Sequence, residues 1–129
     1  MPYNEEETKL YLITPKLKEW VERKWVNMEY YYTNGKILIE GDNYKRGERK
    51  KADYLLNYNN TPIDIVEAKD ELHHAAAGMQ QAKGYAQILD VRFAYSSNGH
   101  GIEEFDFFTN RQTAVDSFPS PDELWARYK

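Results

Sequence analysis

The chain has 129 residues, 41% of them hydrophobic and 29% charged, with a formal net charge of −4. That length suits one domain with its own core, and the composition is that of an ordinary globular chain. There is no cysteine, which excludes a disulfide scaffold and a thiolate metal site and fits a cytoplasmic protein. No apolar run reaches the about 18 residues that a membrane-spanning helix needs, so no membrane partner is expected. The net negative charge argues against a protein that simply coats nucleic acid, although Lys45, Arg46, Arg49, Lys50 and Lys51 form a basic cluster.

Residues 5–25 read as helical, because Leu10, Ile13, Leu17, Trp20 and Val21 recur at helical spacing. Pro15 divides the segment. Either Thr14 caps a second helix with Pro15 at its first position, or Pro15 kinks one longer helix. Glu5, Glu6 and Glu7 suit a helix N-terminus, where the dipole favours negative charge. Residues 26–33 are tyrosine-rich and read as a strand. Asn34-Gly35 is a two-residue hairpin signal, with residues 36–40 as the return strand. Gly35-Lys36 is not a phosphate loop, because isoleucine stands where Ser or Thr is needed. Residues 41–51 are polar and basic and read as a loop.

A third strand is expected over 52–58, a turn over 59–62, and a fourth strand over 63–69. Ile63-Asp64-Ile65-Val66 is apolar at nearly every position, as a central strand with both faces covered would be. Residues 70–89 read as a helix with Leu72, Ala75, Ala76, Met79, Ala82, Tyr85, Ala86 and Leu89 on one broad face. Gly78 weakens that helix unless something packs closely against it. A fifth strand over 91–97, a turn at 98–101 and a short sixth strand over 103–109 follow. The fold class is therefore α/β, a central mixed β-sheet flanked by α-helices. Residues 1–116 read as the domain, and residues 117–129, with Pro119 and Pro121, as a linker and short helix leading on to further chain.

The chemistry concentrates at the end of the fourth strand. Side chains alternate along a strand, so Glu67 and Lys69 share a face, and Asp53 joins them if the third and fourth strands pair. Two carboxylates and an ammonium at a strand end suit a hard divalent cation beside a proton-handling group. The backbone carbonyl of Ala68 is a plausible further ligand. The bland alternative is a structural ion pair. His73 and His74 are adjacent, and neighbouring residues do not face one another, so they read as surface or packing residues rather than metal ligands. His100, between two glycines, reads as an exposed turn residue.

The order helix, three strands, helix, strand, with Asp53 on the third strand and Glu67-Ala68-Lys69 on the fourth, resembles the PD-(D/E)xK nuclease superfamily. Further blocks match in order: Thr8-Lys9 with Ile13-Thr14-Pro15, Arg49-Lys50-Lys51-Ala52-Asp53-Tyr54, Val66-Glu67-Ala68-Lys69, Gln81 with Tyr85, Ser97-Asn98-Gly99, and Pro121-Asp122-Glu123-Leu124-Trp125. Together these resemble the N-terminal nuclease domain of type I restriction endonuclease R (HsdR) subunits, of the RecB-like branch. The resemblance implies a restriction-endonuclease-like core and a type I site-specific deoxyribonuclease. Asp53 and Glu67 would hold Mg2+, which Mn2+ would replace, and Lys69 would orient or activate the attacking water. A first-helix acid is also implied; Glu5 fits the spacing best, with Glu6 and Glu7 left open. Gln81 and Tyr85 would help place DNA, and Arg46, Arg49, Lys50 and Lys51 would bind its phosphates. Ala52 stands where the superfamily usually has proline. Double-stranded DNA and, in a full-length R subunit, the modification and specificity subunits are the implied partners. ATP belongs to the motor part of such a subunit, whose motifs these residues lack. The competing expectations are a stand-alone RecB-like repair nuclease and a non-catalytic DNA-binding or assembly module of the same fold.

Overall fold

The strand Thr61–Ala68 (β5) organises the molecule: every residue from Ile63 to Ala68 is buried, the two acids Asp64 and Glu67 included, as expected of a central strand covered on both faces. It belongs to a computed structural model that describes residues 2–32, 39–40, 43–44 and 50–128, with backbone alone at 31–32, 39–40, 43–44 and 50. The other strands are β1 (Val26–Tyr32), β2 (Ile39–Glu40), β3 (Asn43–Tyr44), β4 (Lys50–Tyr58), β6 (Phe93–Ser97), β7 (Ile102–Asp106) and β8 (Arg111–Val115). Six of them form one mixed sheet in the order β1-β4-β5-β6-β7-β8. All neighbours are antiparallel except β5 and β6, which are parallel and joined through the helix Met79–Leu89 (α3). A parallel pair needs such a crossover.

Both faces of the sheet are covered. On one, the N-terminal arm contributes Ile13, Leu17 and Trp20, and the helix Pro121–Tyr128 (α4) contributes Leu124, against Tyr54, Val66, Phe93 and Tyr95. On the other, Met79, Ala82 and Ala86 of α3 pack on Leu55, Ile65 and Ala94. The small alanines let α3 lie close to the strands, as the sequence suggests. Among the described residues no helix is long and apolar enough to cross a membrane.

The arm stays helical from Glu5 to Glu22, but not as one regular helix. A short α-turn (α1, Glu5–Thr8) widens into a π-helical stretch over Lys9–Ile13, tightens to 3-10 over Thr14–Leu17, and resumes as α2 (Lys18–Glu22). Pro15 lacks an amide hydrogen, so the ladder must adjust around it. Thr14 does not cap: its hydroxyl bonds the Tyr54 hydroxyl at 2.8 Å. Leu10 and Val21, expected on the buried face, are exposed.

Several expected elements are corrected. The Asn34-Gly35 turn lies outside the described residues, and Ile39–Glu40 pairs with Asn43–Tyr44 in a separate two-stranded ladder. The expected loop over 41–51 therefore contains β3 and the start of β4. The helix expected from residue 70 begins in regular form only at Met79. Before it, Asp70 accepts the Leu72 amide, His74 accepts the Ala76 amide, and residues Ala75–Gly78 form a 3-10 turn. Side chains that bond nearby backbone compete with helix formation in this way. Leu72 is accordingly exposed rather than on the helix face. The sixth expected strand ends at Asp106, and a further strand, β8, follows it. The short helix expected in the tail is α4, and the tail packs on the domain: Leu124 is fully buried and Trp20 Nε1 donates to the Pro119 carbonyl at 3.0 Å.

One buried carboxyl stands apart. Neither oxygen of Asp64 has a hydrogen-bond partner among the described residues, although the side chain is 1% exposed. Burial, reinforced by Glu104, pushes its pKa well above the usual carboxylate range. An acid raised in the folded state binds its proton more tightly than in the unfolded chain. Its stability contribution is therefore present at acid pH and lost as pH rises through the folded pKa. The Asp64→Asn protein is accordingly expected to be more stable than wild type at pH 8, with the gap closing towards pH 4. Chemical denaturation at the two pH values, without added metal, measures it.

Candidate active site

Backbone pairing between β4 and β5 runs from Tyr58↔Thr61 to Tyr54↔Val66 and then stops. Two carboxylates continue it. The Asp53 amide donates to Glu67 Oε2 at 2.9 Å, and the Ala68 amide donates to Asp53 Oδ2 at 2.9 Å. Each acid thus satisfies a backbone donor on the other's strand. The same cross-section is irregular on the far side of β4. Met28 pairs with Tyr54 and Tyr30 with Ala52, but Glu29, between them, has a left-handed φ of 53°. Such a conformation is uncommon for a residue other than glycine and marks the point where regular pairing with β4 is skipped.

Asp53 and Glu67 are 4% and 3% exposed. Burial, then the charge of Asp53, pushes the Glu67 pKa up to about 9. A hydrogen bond from the Asp53 amide works in the opposite direction and is outweighed. A buried ammonium, that of Lys9, reaches the pair and is itself 2% exposed. Its Nζ lies 3.3 Å from Asp53 Oδ1, 3.3 Å from Glu29 Oε2 and 2.8 Å from Glu6 Oε1. Burial opposes the ammonium charge, but Glu6, Asp53 and Glu29 together outweigh it and the Lys9 pKa is raised. The Thr8-Lys9 block marks this lysine in the sequence without a role of its own. A lone lysine on a helical segment carries no signal of burial.

Lys69 follows at the end of β5, with its amide donating to the Ser97 carbonyl at 2.9 Å. A Cβ on Gly78 would lie 3.4 Å from Glu67 Cβ and 3.5 Å from Lys69 Cγ. The turn before α3 therefore seats against both side chains, which share a face as strand alternation requires. This is the close packing that the presence of Gly78 calls for. Ser96 locks the turn in place: its hydroxyl accepts the Gly78 amide at 2.9 Å and donates to the Ala75 carbonyl at 2.6 Å.

The three N-terminal glutamates separate by role. Glu7 completes a capping box with Asn4, at 2.8 and 3.0 Å, and Glu6 holds Lys9. Glu5 is exposed, and its charge contributes to raising Glu67. Gln81 Nε2 donates to the Tyr85 hydroxyl one helical turn on, so these two share a face of α3. Lys51 lies 3.8 Å from Glu29 Oε1. Arg46 and Arg49 lie outside the described residues, as does the side chain of Lys50. His73 bonds Asp70 at 2.8 Å, His74 caps the turn, and His100 bonds Glu71 at 2.7 Å. All three organise loops and none converges on the carboxylates.

Among the described residues no three His, Asp or Glu side chains form a metal cluster. The donors present are two buried, mutually repelling carboxylates and the adjoining Ala68 carbonyl. That set fits a hard, water-rich cation such as Mg2+, which keeps several waters and takes one or two carboxylates. It does not fit a softer ion that needs imidazole or thiolate.

A mixed six-stranded sheet flanked by helices, with an interlocked acid pair where two strands diverge, defines the class as an α/β fold. The fold matches, at a TM-score of 0.85 and 47% identity, a fragment described as an HsdR subunit of a type I restriction enzyme from Vibrio vulnificus YJ016. That match covers 98% of this chain and 25% of the other. The type I restriction enzyme EcoAI endonuclease subunit of Escherichia coli is 33% identical over 116 residues, 84% of this chain and 14% of the subunit. No family model matches the chain. The homologues of this protein are thus type I restriction enzyme HsdR subunits, of which it spans a minor part.

Because Ser96 is hydrogen-bonded on both sides, it has little room to yield to a Cβ on Gly78, 3.0 Å away. Gly84, mid-helix in α3, has nothing within 4 Å of the same position. Gly78→Ala is expected to lower stability by about 1–3 kcal/mol, and Gly84→Ala to raise it by about 0.5–1 kcal/mol. Thermal melts of the two variants beside wild type measure the difference in sign.

Proposed function

We propose that this chain is a divalent-metal-dependent DNA endonuclease module that hydrolyses phosphodiester bonds in double-stranded DNA. Within a type I restriction enzyme R subunit it would be the cleavage part, working beside the modification and specificity subunits. The observation that carries this reading is the interlocked pair Asp53 and Glu67 with Lys69 on the same face of the same strand end. A purely structural ion pair would not bury two carboxylates against each other, since like charges in a low dielectric repel strongly.

Asp53, Glu67 and the Ala68 carbonyl would hold Mg2+, or Mn2+ in its place, and the bound ion would supply an acidified water and offset charge on the phosphate. The protein residues do the rest. Mutual hydrogen bonding with backbone amides fixes both carboxylates before substrate arrives, so little reorganisation is needed on binding. Lys69 stands beside Glu67 as a positive charge for the attacking oxygen. Its role would be electrostatic, offsetting negative charge on that oxygen. The Gln81 amide, held by Tyr85, and the basic residues Arg46, Arg49, Lys50 and Lys51 would contact the DNA backbone. Phosphate contacts of this kind give salt-sensitive affinity without sequence preference. ATP has no part in the chemistry of these residues.

Supercoiled plasmid incubated with this chain and Mg2+ or Mn2+ is expected to be nicked. Lys69→Ala and Glu67→Ala proteins, matched in fold by circular dichroism, should be slower by about 100-fold or more. Equal nicking by the variants would overturn the site. No nicking by any of them, alone or joined to a motor, would favour a non-catalytic assembly module.

A further inference from the structure

Lys9 is a buried ammonium shared among Glu6, Glu29 and Asp53. Only one of these, Asp53, belongs to the acid pair. The shortest contact is to Glu6 at 2.8 Å, and the other two are both 3.3 Å. Glu29 is brought to Lys9 by a backbone that few side chains adopt, at φ 53°. It does so on the strand beside Asp53, at the point where regular pairing is skipped. The lysine therefore has two acceptors outside the acid pair, one of them held at a conformational cost.

Resting on the reading of Asp53 and Glu67 as cation ligands, we propose that Lys9 is the site's internal counter-ion. It neutralises Asp53 when no divalent cation is bound, and it opposes cation binding. Glu6 and Glu29 would retain it once Asp53 holds a cation. The physical reason is simple. Two buried carboxylates without any positive charge are costly, so a metal-free protein needs a substitute cation. The same charge then repels an incoming divalent ion a few ångströms away. Dividing Lys9 among three carboxylates weakens its hold on any one of them, so Asp53 can change partner without the ammonium losing all compensation.

Two substitutions should move cation affinity in opposite directions. Lys9→Met removes the competing charge and is expected to bind Mn2+ about tenfold more tightly by isothermal titration calorimetry. Its metal-free melting temperature should fall, with Mn2+ restoring more of it than in wild type. Glu29→Gln leaves Lys9 with fewer alternatives to Asp53 and is expected to bind Mn2+ severalfold more weakly. If Lys9→Met does not fold even with Mn2+, the Glu29→Gln affinity alone decides. Unchanged affinity in both variants, with Asp53→Asn abolishing binding, overturns the counter-ion role and leaves the ligand assignment standing. If wild type takes up no Mn2+, or Asp53→Asn binds it as well as wild type does, the ligand assignment fails and the counter-ion role fails with it.

Discussion

The molecule depends on a change of hydrogen-bonding partner at the open end of two strands. From Tyr58 down to Tyr54, β4 is tied to β5 by backbone pairing; at Asp53 the carboxylates take over. This makes two acids structural and, under the proposed function, chemical as well. They close the ladder, so they cannot be mobile, and they remain oxygen donors at a place where the strands no longer fill the space between them. Ladder bonds made by side chains also explain the burial of both acids. A backbone amide in that position must have an acceptor, and the carboxylate is the acceptor supplied.

The rest of the fold answers the demands of that cross-section. The N-terminal arm brings Lys9 to it from one side, and the turn before α3 closes on Glu67 and Lys69 from the other. The π-helical stretch over Lys9–Ile13 lies where the arm must place Lys9 inward and Ile13 on the core. Gly99, at a left-handed φ of 93°, keeps the loop after β6 tight against Leu12 of the same arm. At the far end of the sheet, Arg127 of α4 grips Glu104 at 2.8 and 2.9 Å, and Arg92 grips Asp106 at 2.9 and 3.0 Å. Charges there are matched, whereas Asp64 nearby is not. Buried acid is thus handled in three ways in one small domain: interlocked with backbone amides at Asp53 and Glu67, paired with arginine at Glu104 and Asp106, and left without a partner among the described residues at Asp64.

The parts of this arrangement with a local period were legible in the sequence. The continuous apolar run of β5 read as a central strand, alternation put Glu67 and Lys69 on one face, and helical spacing paired Gln81 with Tyr85. Glycine at residue 78 also read correctly as a close approach, because its cost needs a compensating contact. What was not legible depends on distant partners. Nothing at Glu29 signals a left-handed residue, since its conformation is imposed by the break in pairing opposite Asp53. Lys9 reads as a solvent-facing helix residue until that break is known. β8 has four exposed residues in succession from Arg111 to Ala114, so no alternation marks it. α3 starts later than its apolar spacing suggests because Asp70 and His74 divert nearby backbone donors that composition alone leaves available to a helix.

The central claim is that Asp53 and Glu67 form a cation site where β4 and β5 part. Crystals of this chain grown with Mn2+, measured at the manganese absorption edge, test it without recourse to activity. The account predicts one strong anomalous peak within about 2.0–2.5 Å of oxygens from Asp53, Glu67 and the Ala68 carbonyl. A peak elsewhere, with both carboxylates still bonded only to amides and Lys9, would contradict it.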